Sequence, residues 1–170
     1  MSQILAHWNV LPAEQAAKEI LPCCGSRAWA HGMASCRPFK DVHTLLATSD
    51  RIWRALSVSD WSEAFESHPR IGTAISAGKS SAQSLSWSAQ EQRRAAASGD
   101  SLKQALADGN REYERKFQRI FIVCATGKSA TEILEILRRR LNNDETVELH
   151  EAAEQQRQIA QIRLKKWLAQ

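Results

Sequence analysis

Apolar residues recur at helical rather than alternating spacing along nearly the whole chain. Pro12 opens the stretch "AEQAAKEIL" and Pro22 closes it, proline being suited to a helix start and hostile to its continuation. "SRAWAHGMAS" reads as a short second helix closed near Pro38. In "DVHTLLATSDRIWRAL", Val42, Leu45, Leu46, Ile52, Trp53 and Leu56 make a broad apolar face, with Asp41 as its cap. "SDWSEAFESH" predicts a brief amphipathic helix capped by Ser59 or Asp60. Residues 72–87 form the most loop-like stretch, rich in Gly, Ser and Ala. Helices follow from about Ser88 and from about Ser101 through Phe117, while Ser129 and Glu132 frame a capping box for "ATEILEILRRRL". "NND" then breaks the chain before a long last helix, from about Glu145 to Leu168. "IFIVCAT" is the one strand-like run; a lone strand makes no sheet, so it is an extended segment or a buried connection. The expected fold is all-α, a compact single-domain bundle of about seven to eight helices over residues 1–170, with no internal repeat.

At 170 residues and 43% hydrophobic content the chain has enough apolar material for a core. The net charge of +4 is mild, and basic residues alternate with acids, as in "NREYERKFQR". Even Arg138, Arg139 and Arg140 are flanked by Glu132, Glu135, Asp144 and Glu145, which argues against a nucleic-acid stripe. Cys23, Cys24, Cys36 and Cys124 show no C-x-x-C spacing, and the adjacent pair cannot bridge without strain. Reduced thiols in a cytoplasmic protein are therefore expected. The first residues lack the basic segment and apolar core of a secretory signal, and no apolar run approaches membrane-span length. His7, His31, His43 and His150 are scattered, and "ATGKSA" lacks the earlier glycine of a phosphate loop, so neither a metal nor a phosphate site is expected. Trp8, Trp29, Trp53, Trp61, Trp87 and Trp167 read as core and interface anchors.

Three places have chemistry to offer. In "ESHPRIG", Pro69 disfavours the α region for His68, so the imidazole leaves the helix end in a defined direction. It either donates to a backbone carbonyl there or is aimed at a ligand. In "SAQEQ", Ser88 and Glu91 read as a capping box; the other reading is a polar helix start that offers a hydroxyl and a carboxylate to a substrate. Arg163 lies one turn after Ile159 and one turn before Trp167, on an apolar face where a guanidinium needs an anion, a structural carboxylate or an escape to solvent. The residues alone leave room for an enzyme, a ligand-binding helical protein or an interaction module.

Taken together, "CCGSRAWAHGMASCRPF", "DWSEAFESHPRIG", "SAQEQ", "NREYERKF", "FIVCATGKSATEIL" and "RRRLNNDETVELHEAAEQQRQIAQIRL" resemble, in order and over nearly the whole chain, the 2-oxo-4-hydroxy-4-carboxy-5-ureidoimidazoline (OHCU) decarboxylase family of urate degradation. The resemblance implies an all-helical homodimer that needs no cofactor and converts a ureidoimidazoline substrate to (S)-allantoin with loss of carbon dioxide. It implies His68 and Glu91 as the catalytic pair. Ser88 and Arg163 become substrate contacts, Pro69 lines the site, and backbone groups near Ile122 and Val123 reach the ligand. No metal, nucleic acid or membrane enters this picture. In one place the chain departs from the pattern: family members usually show a Gly-aromatic pair where Gln118 and Arg119 stand, and Arg119 is expected to reach solvent.

Overall fold

The computed structural model describes residues 2–71, 81–93 and 99–170. Among them are nine α-helices, one more than the upper expectation: α1 (Gln3–Val10), α2 (Ala13–Ile20), α3 (Arg27–Ser35), α4 (Val42–Ala55), α5 (Val58–Glu66), α6 (Ala82–Glu91), α7 (Asp100–Phe117), α8 (Ala130–Arg140) and α9 (Glu145–Leu168). A single 3-10 turn, Leu21–Cys23, follows α2. The described residues hold no strand, so the all-α reading stands. The added helix is α1, whose Ile4, Leu5, Ala6, Trp8 and Val10 fall all round its eight residues, with only Leu5 and Trp8 buried, so that they announce no period.

Caps explain most of the boundaries. The Asp41 carboxylate accepts from Thr44 N at 2.7 Å, and the Ser129–Glu132 box is closed in both directions. At α5 the cap is Ser57, not Ser59 or Asp60: the Asp60 amide donates to Ser57 Oγ while the Asp60 carboxylate accepts from Ser57 N. A larger correction concerns Ser88. α6 begins earlier than expected, within the stretch read as loop, capped by Ser81 instead of Ser88; the Ser81 hydroxyl accepts from Ser84 N. Ser88 and Glu91 therefore lie in the last turns of α6, and their spacing is not a capping box. Of the loop expected over 72–87, residues 72–80 lie outside the described residues; so do residues 94–98 of the helix expected from Ser88.

The chain divides into two compact units, Met1–Ala64 with Arg157–Gln170, and Phe65–Gln156. In the first, Trp8 is fully buried, stacks on Phe39 and meets Trp167 edge-on, and its indole N–H reaches Ala16 O at 2.9 Å. A buried tryptophan thus finds the hydrogen-bond partner its indole requires. In the second unit, Leu106, Tyr113 and Phe117 of α7 and Ile133, Leu134 and Leu137 of α8 share one cluster with Phe121, Val123 and Ala125. Gly109 admits Leu137 to α7, since a Cβ there would lie 2.6 Å from Leu137 Cδ2.

α7 ends on Gln118 in the left-handed conformation, φ 53° and ψ 26°, at the position where the resemblance implies glycine. The Gln118 side chain returns to Arg115 O at 2.8 Å, a partial offset for the strain. Gln118→Gly is expected to raise the unfolding free energy by about 0.5–1 kcal/mol, read from urea midpoints. An unchanged or lower midpoint would mean that the side-chain bond outweighs the strain. Arg119 corrects a second expectation. It does not run to solvent: its side chain is 15% exposed, ion-paired with Glu145 and laid over the Phe117 ring.

Candidate active site

His68 sits where α5 runs out. Its backbone N–H still reaches Phe65 O at 3.1 Å, and Pro69 then forbids further helix. The next two residues are tied down. Arg70 grips Glu114 of α7 with two hydrogen bonds, Nε to Oε1 at 2.6 Å and Nη2 to Oε2 at 2.8 Å. Buried Asn110 of α7 donates to Ile71 O at 2.9 Å. With the chain fixed on both sides of the His-Pro junction, the half-buried imidazole has little freedom, and its Nε2 is shielded from water.

On α6, Ser88 is buried and Glu91, one turn on, is half-buried, so the hydroxyl and the carboxylate share a face. Glu91 lies close enough to Cys124 for its charge to act on the thiol. Burial pushes the Cys124 thiol above its usual range, the Lys128 ammonium opposes that, and the Glu91 carboxylate adds to it.

That segment, Phe121 to Ala125, is a buried connection without regular secondary structure, the second of the two readings of "IFIVCAT". Side chains hold it. Arg140 Nη1 donates to Ile122 O at 2.6 Å, Cys124 N donates to Gln155 Oε1 at 2.9 Å, and Lys128 Nζ donates to Cys124 O at 2.7 Å. Arg140 is itself fully buried against an equally buried Glu148, with Nε to Oε1 at 2.9 Å, and lies over the Phe121 ring. The Tyr113 hydroxyl donates to the same carboxylate; burial first, and that bond second, raise the phenol's pKa well above its ordinary value. Asn143 Nδ2 completes the cluster, 2.8 Å from Glu148 Oε2.

Sequence reasoning passed over Arg140 and Glu148. The signal was the one used for Arg163: Ile133, Leu137 and Arg140 follow one another at helical spacing, and the first two are fully buried.

Arg163 belongs to the first unit. It is fully buried between Ile159 and Trp167 on the same helix face, as its spacing predicts. Its guanidinium approaches Pro22 O at 3.4 Å, and its charge partly opposes the upward push that burial gives the Cys23 thiol. His68, Pro69, Ser88, Glu91, Ile122 and Val123 all belong to the second unit.

Comparison with known proteins places this architecture in a class. The crystal structure of an OHCU decarboxylase in the presence of (S)-allantoin matches with a TM-score of 0.77 at 34% identity, over 89% of this chain and 98% of that one. The crystal structure of an (S)-allantoin synthase shares the fold at a TM-score of 0.69 and 16% identity, over 96% of this chain and 53% of that one. The class is therefore that of all-helical decarboxylases. The model of the OHCU decarboxylase family matches residues 9–165, and the chain belongs to that family of carboxy-lyases. The uric acid degradation bifunctional protein TTL of Arabidopsis thaliana is 34% identical over 144 residues, 85% of this chain but only 44% of the plant protein. This chain thus spans less than half of that relative. The 2-oxo-4-hydroxy-4-carboxy-5-ureidoimidazoline decarboxylase of Amia calva is 28% identical over 147 residues, 86% of this chain and 80% of the relative. Among the described residues no helix is long and apolar enough to cross a membrane.

Proposed function

We propose that this chain, as one OHCU-decarboxylase domain, converts OHCU to (S)-allantoin in urate catabolism, without a cofactor and as a cytoplasmic homodimer. The observation that carries the reading is the second unit itself. It holds an imidazole fixed at a helix end, a helix face bearing Ser88 and Glu91, and a buried backbone segment pinned by side chains at Ile122 and Cys124. The domain is 34% identical to a solved OHCU decarboxylase.

The chemistry suits such a set of groups. The departing carboxylate is attached to a carbon next to a ring C=N, so the bond electrons pass into that double bond as carbon dioxide leaves. The ring nitrogen of that double bond takes up a proton; the hydroxyl on the carbon that lost carbon dioxide then gives up its proton as it becomes a carbonyl, and the neighbouring carbon takes up a proton, one proton net coming from solution. Because the substrate supplies its own electron sink, the protein has to supply orientation, charge and a proton on one face. His68 moves a proton at the reacting centre, and Glu91 accepts from the substrate hydroxyl or a ureido N–H. Ser88, Pro69 and the backbone at Ile122 and Val123 orient the ring. Arg163 is assigned to an anionic or carbonyl edge on its chemistry, since a guanidinium pairs with such edges in bidentate fashion.

The test is product handedness by circular dichroism, starting from freshly made OHCU. Optically active (S)-allantoin is the expected product. Racemic allantoin formed at the rate of spontaneous decay would overturn the proposal.

A further inference from the structure

Neither a helix nor a ladder orients the peptide groups of Phe121 to Ala125. In their place, the Ile122 carbonyl is held by Arg140, the Cys124 amide by Gln155 and the Cys124 carbonyl by Lys128. Between these anchors stands Val123, only 4% exposed. Among the described residues its own N–H and C=O make no hydrogen bond. Buried backbone groups are paired in more than about nine cases in ten, so a pair left open inside a carefully tied segment calls for a polar partner.

Peptide planarity says where those groups point. In a trans peptide the C=O and N–H lie on opposite edges of one plane. Holding the Ile122 carbonyl toward Arg140 turns the Val123 N–H away from α8. Holding the Cys124 N–H toward Gln155 turns the Val123 C=O away from α9. We propose that Gln155 and the Arg140–Glu148 pair are positioning residues for the reaction, fixing the two peptide planes so that Val123 presents one donor and one acceptor to the substrate. The proposal rests on the functional reading above, in which Val123 meets the ligand. An imidazoline ring carrying C=O and N–H edges matches a donor and an acceptor set by one residue.

The test uses the full chain and steady-state kinetics on OHCU. Gln155 is the residue to change, because it is half-buried and uncharged and its loss leaves no charge stranded. Gln155→Leu removes the acceptor and is expected to raise KM about five- to tenfold, the worth of roughly one hydrogen bond, with kcat little changed. Gln155→Glu keeps an oxygen for the Cys124 amide and is expected to restore KM. Arg140→Met with Glu148→Leu, which releases the other of the two planes, repeats the measurement should Gln155→Leu not fold. A folded Gln155→Leu chain, or a folded Arg140→Met, Glu148→Leu chain, with the wild-type KM would overturn the positioning role alone, as would a Gln155→Glu chain no better than Gln155→Leu. A wild-type chain without stereoselective turnover would instead overturn the functional reading, and this inference with it.

Discussion

Arg140→Ala is expected to lower the unfolding free energy by about 3–5 kcal/mol, the cost of leaving a buried charge without its partner. The guanidinium and the Glu148 carboxylate are both fully buried, so removing one strands the other in a low-dielectric interior. Two further groups lose their partners, or part of their setting, in the same change. The Ile122 carbonyl loses its donor, and the Tyr113 hydroxyl is left with a carboxylate no longer balanced by a cation. A domain with a typical margin of about 5–15 kcal/mol survives such a loss only in part, and urea unfolding monitored by tryptophan fluorescence should show the midpoint falling accordingly.

A companion variant separates stability from service to the site. Arg140→Met with Glu148→Leu removes both charges and refills much of the volume, an exchange that is often neutral or better for stability. It does not give the Ile122 carbonyl a new donor. The double variant is therefore expected to regain most of the unfolding free energy while its KM stays above the wild-type value. Stability regained together with a wild-type KM would show that the pair serves the fold alone.

The same pair marks the limit of what the sequence disclosed. The burial of Arg163 was legible because Ile159 and Trp167 stand one turn on either side of it. Arg140 follows Ile133 and Leu137 with equal regularity, but it closes a run of three arginines, and such a run reads as a solvated helix end. Its partner Glu148 stands among polar neighbours in "ETVELHEAAEQQ", where only the packed fold separates the inward carboxylate from the outward ones. Ser88 was misplaced for a local reason. Ser81, Ser84, Ser86 and Ser88 are all competent caps in one short stretch, and the apolar period of α6 is too weak to choose among them. Gln118 could be seen as a departure from the family pattern, yet the reason glycine is favoured there, a left-handed backbone, is a property of the folded chain. "IFIVCAT" announced its burial through composition. Its hydrogen bonds to Arg140 and Gln155 span 18 and 31 positions, beyond the reach of any periodicity.

His68→Ala is expected to lower kcat by about a hundred- to ten-thousand-fold, the usual worth of a positioned acid–base group, and to leave allantoin that is largely racemic. The loss of handedness follows from competition. Once enzymatic turnover slows to the rate of unaided decay, protonation from either face prevails. The fold should stay intact, because His68 lies past the last turn of α5 and the anchors of this junction are Arg70 on Glu114 and Asn110 on Ile71 O. His68→Asn is the sharper variant. Its amide reproduces much of the hydrogen-bonding reach of an imidazole but does not exchange a proton near neutral pH. If His68 moves a proton, Asn is nearly as slow as Ala. If His68 only orients the ring, Asn retains most of the rate and the optical purity. Glu91→Gln asks the same question of the carboxylate, with the hydrogen bond kept and the charge removed. The proposed roles require both conservative variants to fail in kcat while thermal unfolding stays near that of the wild type. A His68→Asn chain making (S)-allantoin at the wild-type rate would take the imidazole out of the chemistry and leave it as a helix terminus.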